Sequence, residues 1–346
     1  MRSQAPPHPR FLALVGPTAS GKSELSLRLA QALDGEIISM DSRQVYRGME
    51  IGTDKVPPAA RMAVPHHGLD RVDPHQGYSA ARFAREARGW IQEIEGRGRV
   101  PLLVGGTGFF LKALLEPVFR EPRVDPERRR LVREYLRELP RPQLERWVEV
   151  LDPDRSPVAR AGGRQRLSRT VEVPLLTGRS LTWWHENAPP DQPPTSGMVV
   201  LLHLPREVLY QRINRRAQAM LESGLHEEVR GLLEQGYGPG DPGMSGTGYR
   251  EVIRWIRGEL SRNEVLDGIR RATRRYARRQ LTWFRNQLPP DTLHVHGTDD
   301  PERLVGEIRR EWTARRSPEG VGGTEGPPLG STRGDGHGTS NGEGGT

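Results

Sequence analysis

The feature that most constrains this sequence is the segment 16–23, which reads Gly-Pro-Thr-Ala-Ser-Gly-Lys-Ser. An apolar run, 11–15, precedes it, and an amphipathic run, 24–33, follows it. A strand, a glycine-rich turn and a helix in this order form the context that a phosphate-binding P-loop requires. Gly16 and Gly21 let the backbone N–H groups converge on one anion, to which the helix N-terminus adds its positive dipole end. The segment therefore predicts a pyrophosphate-binding site.

Two side chains of this P-loop have predicted roles of their own. Lys22 supplies a mobile positive charge to the phosphate oxygens, and the hydroxyl of Ser23 is placed to ligate Mg²⁺. The predicted pyrophosphate-binding residues are Gly16, Pro17, Thr18, Ala19, Ser20, Gly21, Lys22 and Ser23. The loop alone does not identify the molecule that carries the pyrophosphate.

Further apolar runs predict the other strands of a parallel sheet. They occupy residues 36–42, 100–104, 198–204 and 292–296. Apolar residues at helical spacing predict helices at 79–95, 109–115, 206–221 and 269–285. The expected fold class is therefore α/β, with a P-loop NTPase-like parallel sheet flanked by helices. Residues 43–78 contain many prolines and glycines and are expected to be irregular.

The predicted second strand carries Asp41 near its carboxyl end. Ligands of open α/β sheets bind at that end of the strands, so Asp41 is expected to face the P-loop crevice. The alternative is that Asp41 only caps the turn that follows it. A glycine-rich turn, 105–108, follows the third strand and predicts a second substrate-contacting edge, although such a turn is often only a tight connection.

The adjacent histidines His66 and His67 lie in the irregular segment. No further ligand follows them at the spacing of a zinc site, so we expect them to position other groups through hydrogen bonds.

Residues 121–189 change in character to charged helices without strand runs. They predict a helical insertion between two parts of the α/β core, 10–120 and 190–312. In the insertion, Leu167 and Val171 form an apolar edge from which neighbouring arginines project away. A solvated charged face is the alternative reading of these arginines.

Arginine is also concentrated in two of the predicted core helices. Arg212 and Arg216 lie one helical turn apart, so that both can cover the phosphates as a lid, or form surface salt bridges instead. Two ladders of like charges at four-residue spacing occupy the helix 269–285, namely Arg270, Arg274 and Arg278, and Arg271, Arg275 and Arg279. Such ladders disfavour a free helix, whereas a polyanion offsets their repulsion. They predict a nucleic-acid partner, with a solvated face as the alternative.

The composition supports the same partner and limits the other possibilities. The net charge is +8, which favours polyanion binding. The absence of cysteine excludes disulfides, thiolate metal sites and cysteine nucleophiles. No apolar run approaches the ~18 residues of a membrane span, and no signal peptide is visible, so we expect a cytoplasmic protein that does not contact a membrane. The Gly-rich tail 317–346 is expected to be disordered.

Together these segments resemble the tRNA dimethylallyltransferases, also called tRNA isopentenyltransferases. The matching motifs are the P-loop 16–23, Asp-Ser-Arg-Gln at 41–44 within 41–55, Pro-His-His-Gly-Leu-Asp at 65–70, Leu-Val-Gly-Gly-Thr-Gly at 103–108, Gln-Arg-Leu-Ser-Arg at 165–169, Gly-Tyr-Arg-Glu at 248–251 and Arg-Arg-Gln-Leu-Thr-Trp-Phe-Arg at 278–285. The resemblance covers residues 10–300, and the lack of cysteine points to the bacterial type without a zinc finger.

The resemblance implies that a dimethylallyl group passes from dimethylallyl diphosphate to N6 of adenosine 37, just 3′ of the anticodon in tRNA, with Mg²⁺ as cofactor. In that case Asp41 would accept the N6 proton, and Ser23 would help to hold Mg²⁺. The residues implied to stabilise the diphosphate as it leaves are Thr18, Lys22, Arg216 and Arg212.

The resemblance also implies a set of tRNA contacts, and we expect the enzyme to be a monomer. The implied tRNA-binding residues are Asp41, Ser42, Arg43, Gln44, Thr107, Arg129, Gln165, Arg166, Leu167, Ser168, Arg169, Arg278 and Arg279. The target adenine would leave its stack to enter the crevice. Phe109 and Phe110 depart from the family, which commonly has an aliphatic residue and a tyrosine there.

Two other functions are compatible with the P-loop. A small-molecule kinase would turn over ATP and be indifferent to tRNA. A nucleic-acid-dependent ATPase would release phosphate when nucleic acid binds.

Overall fold

A computed structural model describes residues 8–116, 119, 124–190 and 193–317. Its centre is a six-stranded sheet in the order β3-β2-β4-β1-β5-β6, with every pairing parallel. The strands are β1 Phe11–Val15, β2 Gly35–Ser39, β3 His66–His67, β4 Val100–Gly105, β5 Gly197–His203 and β6 Leu293–His296. The predicted α/β class with a parallel sheet is confirmed.

Helices cover both faces of this sheet. In chain order they are α1 Lys22–Leu33, α2 Pro58–Ala63, α3 Ala80–Gly96, α4 Gly108–Leu115, α5 Pro126–Glu138, α6 Arg141–Leu151, α7 Ser156–Ala161, α8 Arg164–Thr177, α9 Leu181–Asn187, α10 Arg206–Glu222, α11 Leu225–Glu234, α12 Tyr249–Ile256, α13 Arg262–Gln287 and α14 Pro301–Arg316. Short 3-10 helices occupy Pro153–Arg155 and Gly243–Ser245.

The central strand β1 is buried along its whole length. Its unbroken apolar run suits a parallel strand that is covered on both faces. Phe11 packs on one face with α3 and α4, whereas Leu12 packs on the other with α1 and α14. The registers Val15↔Gly105 and Val15↔Leu201 align the carboxyl ends of three strands, so that the P-loop and the glycine turn meet at one edge.

The described residues 124–189 form helices and turns, as expected for this charged part of the chain. They share a cluster of apolar side chains that includes Leu144, Val148 and Leu167. The bounds of the insertion as a separate domain stay a prediction.

The structure differs from the sequence-based expectations in several places, and one of them is that β2 ends at Ser39, two residues before Asp41. The segment 43–78 is not irregular throughout, because it contains α2 and the edge strand β3. Helix α13 begins at Arg262, where Ser261 and Glu264 form a capping box that periodicity did not reveal. Helix α14 was not expected, although Asp300 caps it. The tail 317–346 was expected to be disordered, and its residues after Ser317 lie outside the described ranges.

The histidine pair behaves as expected. His66 Nδ1 lies 2.7 Å from the Val64 carbonyl oxygen, and His67 Nε2 lies 2.7 Å from Glu36 Oε2. In the described ranges, no group of three or more His, Asp or Glu side chains could hold a metal ion. The described helices also include none that is long and apolar enough to cross a bilayer.

Candidate active site

The P-loop forms a tight turn between β1 and α1. Gly21 has φ +96°, a left-handed conformation that favours glycine, and α1 begins at the next residue. Gly16 lies against β5, since a Cβ there would stand 2.9 Å from the Leu202 carbonyl oxygen. The N-terminus of α1 therefore opens onto the carboxyl edge of the sheet, as a pyrophosphate site requires.

Lys22 folds back across this loop. Its Nζ donates to the Pro17 carbonyl at 2.7 Å and lies 3.2 Å from Ser20 Oγ. Burial lowers the pKa of Lys22 to about 7, although the nearby Asp41 carboxylate acts in the opposite direction. Among the residues that the structure describes, no carboxylate is in direct contact with the Lys22 amine, so a bound anion would raise its pKa and favour the charged form.

We predict that pyrophosphate binding weakens as the pH rises through the pKa of Lys22. Above about pH 7 the free protein must take up a proton to bind the anion, so the Kd should rise by up to about tenfold per pH unit. Isothermal titration with inorganic pyrophosphate measures this, and Lys22→Met provides the control because the anion's own ionisation affects both proteins. A wild-type to variant Kd ratio that does not change with pH would contradict the assignment.

Asp41 follows β2 and lines the same cavity as the P-loop. Its Oδ1 also accepts a hydrogen bond from the Arg43 backbone N–H at 2.8 Å. One carboxylate oxygen of Asp41 thus caps the turn while the side chain also faces the crevice. The hydroxyl of Thr107 accepts from the Ser42 N–H at 3.0 Å, which ties this turn to the glycine turn 105–108.

The arginines of α10 reach the P-loop as expected. Arg212 Nη1 donates to the Ser20 carbonyl at 2.9 Å. Arg216 Nη1 donates to Thr18 Oγ1 at 3.0 Å and lies 3.2 Å from Asp54 Oδ2. Arg216 is thus placed between a P-loop hydroxyl and a carboxylate of the segment 43–78.

Gln280 joins the P-loop to the glycine turn, a role that the sequence reasoning missed. Its Oε1 accepts from the Thr18 N–H at 2.9 Å, and its Nε2 donates to the Gly106 carbonyl at 2.9 Å. Gly106 leaves the space for it, because a Cβ there would stand 2.2 Å from Gln280 Nε2. The sequence did contain a sign of this role, because Gln280 is an amide on the apolar face of α13. A polar side chain that is buried there needs hydrogen-bond partners.

Replacing Gln280 by leucine should destabilise the protein and weaken pyrophosphate binding. The Thr18 N–H and the Gly106 carbonyl would both lose their partner, which costs about 1–3 kcal/mol of unfolding free energy. Urea denaturation measures this loss. Gln92→Leu, at an exposed position of α3, is the matched control. Equal stability of the two variants would refute the bridging role.

Two cavities meet at this edge of the sheet. One, of about 450 Å³, contains the P-loop side of the site, and the other, of about 470 Å³, lies between α10 and α13. Thr18, Asp41, Thr53 and Arg216 line both cavities. The second cavity has an apolar wall that includes Ile213, Met220 and Ile269. The arrangement allows an anion in the first cavity and an uncharged group in the second to meet beside Asp41.

Tyr276 is a further residue of this junction that the sequence placed only on an apolar helix face. It lines the second cavity. Burial, followed by the Asp41 charge, raises the pKa of Tyr276 to about 12, so its hydroxyl stays protonated and can donate a hydrogen bond.

The segment 43–54 carries Asp54 to the site. It is held by hydrogen bonds within the segment and by others to distant parts of the chain. Gln44 Nε2 donates to the Thr53 and Asp54 carbonyls at 3.2 Å, and Arg43 Nη1 donates to the Pro242 carbonyl at 2.7 Å. Glu228 accepts from the N–H groups of residues 50–52 and from the Tyr249 hydroxyl. The side chains of Arg43 and Gln44, predicted to contact tRNA, therefore also support the active-site loop.

An open cleft of about 810 Å³ lies beside this junction, between α4, α8 and α13. It brings together the predicted tRNA-binding residues Arg166, Arg278 and Arg279. Arg275 and Arg279 line both this cleft and the cavity that contains Asp41. The arginines of the first ladder do not all line the cleft. Arg278 does, whereas Arg274 donates to Asn214 Oδ1 at 2.8 Å and packs over Tyr210 within the fold.

The predicted tRNA-binding residues of the insertion have different surroundings. Leu167 is 0% exposed and packs in the helical core, so its side chain supports the helix and is not available at the surface. Arg129 and Arg169 both face Glu172, at 3.9 and 3.1 Å. Gln165 is exposed and Ser168 is half-buried. The motif 165–169 is a run of consecutive residues, which point to different sides of a helix. It therefore included Leu167, whose side chain faces the core.

Ser23 lines the first cavity together with Asp41 and Asp54. Mg²⁺ commonly binds one or two protein oxygens and completes its coordination with water and substrate phosphates. The donor set of this cavity therefore fits Mg²⁺ bound jointly with a diphosphate.

A family model described as IPP transferase matches residues 44–287. The tRNA dimethylallyltransferase of Syntrophobacter fumaroxidans is 44% identical over 302 residues, which are 86% of this chain and 86% of that relative. The tRNA dimethylallyltransferase 1 of Pelobacter propionicus is 44% identical over 305 residues, which are 88% of this chain and 97% of that relative.

Solved structures agree with these similarities. The tRNA isopentenylpyrophosphate transferase of Bacillus halodurans matches with a TM-score of 0.64 and 34% identity, over 88% of this chain and 96% of that chain. A eukaryotic dimethylallyltransferase acting on tRNA matches with a TM-score of 0.72 and 26% identity, over 89% of this chain and 80% of that chain. The expected P-loop NTPase-like form of the α/β fold is thereby confirmed.

Proposed function

This chain belongs to the IPP transferase family, and we propose that it transfers the dimethylallyl group of dimethylallyl diphosphate to N6 of the adenosine 3′ of the anticodon in tRNA. The products are N6-dimethylallyladenosine and diphosphate. The observation that carries the proposal is the junction at which Thr18, Asp41 and Arg216 line two cavities at once. A transfer between two substrates needs such a meeting point, whereas the kinase and ATPase alternatives are not favoured by the relatives.

The first cavity would hold the diphosphate. The P-loop N–H groups, Lys22 and Arg212, all of which line this cavity, would bind its oxygens, and Mg²⁺ bound with Ser23 would supply further positive charge. As the allylic C1–O bond breaks, its electron pair leaves with the diphosphate. Arg216 and the Thr18 hydroxyl, which are hydrogen-bonded to each other, would stabilise this charge.

The second cavity would hold the adenine. N6 forms its bond to C1 and then loses a proton, for which Asp41 is the carboxylate that both cavities share. The protonated Tyr276 hydroxyl is placed to orient the base beside Asp41. Because this cavity lies between helices, the adenine must leave its stack to enter it.

The basic cleft would hold the rest of the anticodon loop. Its cations Arg166, Arg278 and Arg279 come from the insertion and from α13, which would place the RNA between them. We also propose that the enzyme acts in the cytoplasm as a monomer, since one chain carries all the groups named here.

A transfer assay tests the proposal. Unmodified tRNA and dimethylallyl diphosphate labelled in the allyl group should yield labelled tRNA, and chelation of Mg²⁺ should strongly reduce the yield. A parallel incubation with ATP serves as the control. Hydrolysis of ATP without label in tRNA would reject the transferase and support a P-loop ATPase.

A further inference from the structure

We propose that Phe109 is a stacking platform for the unpaired nucleobase next to the target adenosine, an inference that rests on the proposed function. Phe109 is 58% exposed, although the other aromatic residue of α4, Phe110, is buried. A single exposed apolar residue needs no partner, so the assignment depends on what surrounds this ring.

The surroundings of Phe109 indicate the chemistry of that partner. The ring lies in the basic cleft, 6.1 Å from Trp283 between centroids and inclined to it by 55°. Trp283 is fixed against the glycine turn, because a Cβ on Gly108 would stand 2.2 Å from its ring. The cations lining the cleft are Lys112, Arg155, Arg166, Arg275, Arg278 and Arg279, and no carboxylate appears among its described lining residues.

Exposed aromatic rings among arginines are typical of sites that bind single-stranded nucleic acid. The cations contact the phosphates, and the rings stack on the bases. The cleft also continues into the catalytic junction through Arg275 and Arg279. A loop whose adenosine enters the second cavity would therefore leave a neighbouring nucleotide in the cleft, where Phe109 is the exposed ring.

Fluorescence of a labelled RNA hairpin tests this inference. Two anticodon hairpins would carry 2-aminopurine directly 5′ or directly 3′ of the target adenosine, because stacking on an aromatic ring quenches this base. We expect the wild-type protein to quench one of the two probes. Phe109→Leu should remove the quenching and raise the Kd about tenfold, whereas Phe109→Tyr should preserve both. Tyr135→Leu is the matched control, since Tyr135 is 53% exposed on α5 and does not line the cleft.

The possible results separate the two proposals. If Phe109→Leu quenches and binds as the wild type does while the wild type prenylates tRNA, the stacking role is wrong and the proposed function stands. If the wild type neither binds the hairpin nor transfers label, both are wrong. Unchanged RNA binding with reduced self-association of Phe109→Leu in sedimentation would assign the ring to a second copy of the chain.

Discussion

Replacing Asp41 by asparagine should lower the rate of prenyl transfer by a factor of roughly 10² to 10⁴, the range expected for removal of a general base. Asparagine keeps an oxygen that can accept the hydrogen bond from the Arg43 N–H, so the turn after β2 is retained. The substitution removes the carboxylate charge, which also acts on the pKa of Lys22 and of Tyr276, and with it the proposed ability to take the N6 proton. The effect should therefore appear in the single-turnover rate constant, with the Kd for tRNA little changed.

Asp34→Asn is the matched control for this experiment. Asp34 is an exposed aspartate with φ +47°, a conformation that asparagine adopts readily, and it lies at the opposite end of β2 from Asp41. If Asp41→Asn and Asp34→Asn transfer at the same rate, Asp41 is not the base. If Asp41→Asn instead abolishes tRNA binding, its role is in recognition.

Replacing Arg216 by glutamine is the second change with a large expected effect, a loss of roughly 10² to 10³ in kcat. Arg216 Nη1 lies 3.0 Å from Thr18 Oγ1, beside which the proposed mechanism develops charge on the leaving diphosphate, and 3.2 Å from Asp54 Oδ2. Without the guanidinium, the Asp54 carboxylate would remain in the cavity beside a polyanion. Ground-state binding should weaken less than the chemical step, because the P-loop and Lys22 remain.

Arg215→Gln is the control for this change, since Arg215 is the next residue of α10 and is exposed. The comparison of kcat with the Kd for pyrophosphate decides the outcome. Should Arg216→Gln raise that Kd and leave kcat unchanged, Arg216 would bind the anion equally in ground and transition states.

The prediction of the sheet and its edge from sequence succeeded because it depends on local patterns. The runs at 11–15 and 100–104 are apolar throughout, and turns that contain glycine follow both. Parallel strands share an edge, so the motifs at their carboxyl ends had to meet there. The prediction was poorer for 43–78, because α2 and β3 depend on contacts with the rest of the fold and have no strong periodicity of their own.

The sequence by itself thus determined the P-loop, the placement of Asp41 and the pairing of Arg212 with Arg216, since each follows from a strand end or from one helical turn. Only the tertiary structure decided how α13 packs. That packing brings Gln280 to Thr18 across 262 residues, places Tyr276 beside Asp41 and directs Arg274 into the fold. Helical spacing shows which residues share a face, but the orientation of the helix against the sheet decides what that face meets.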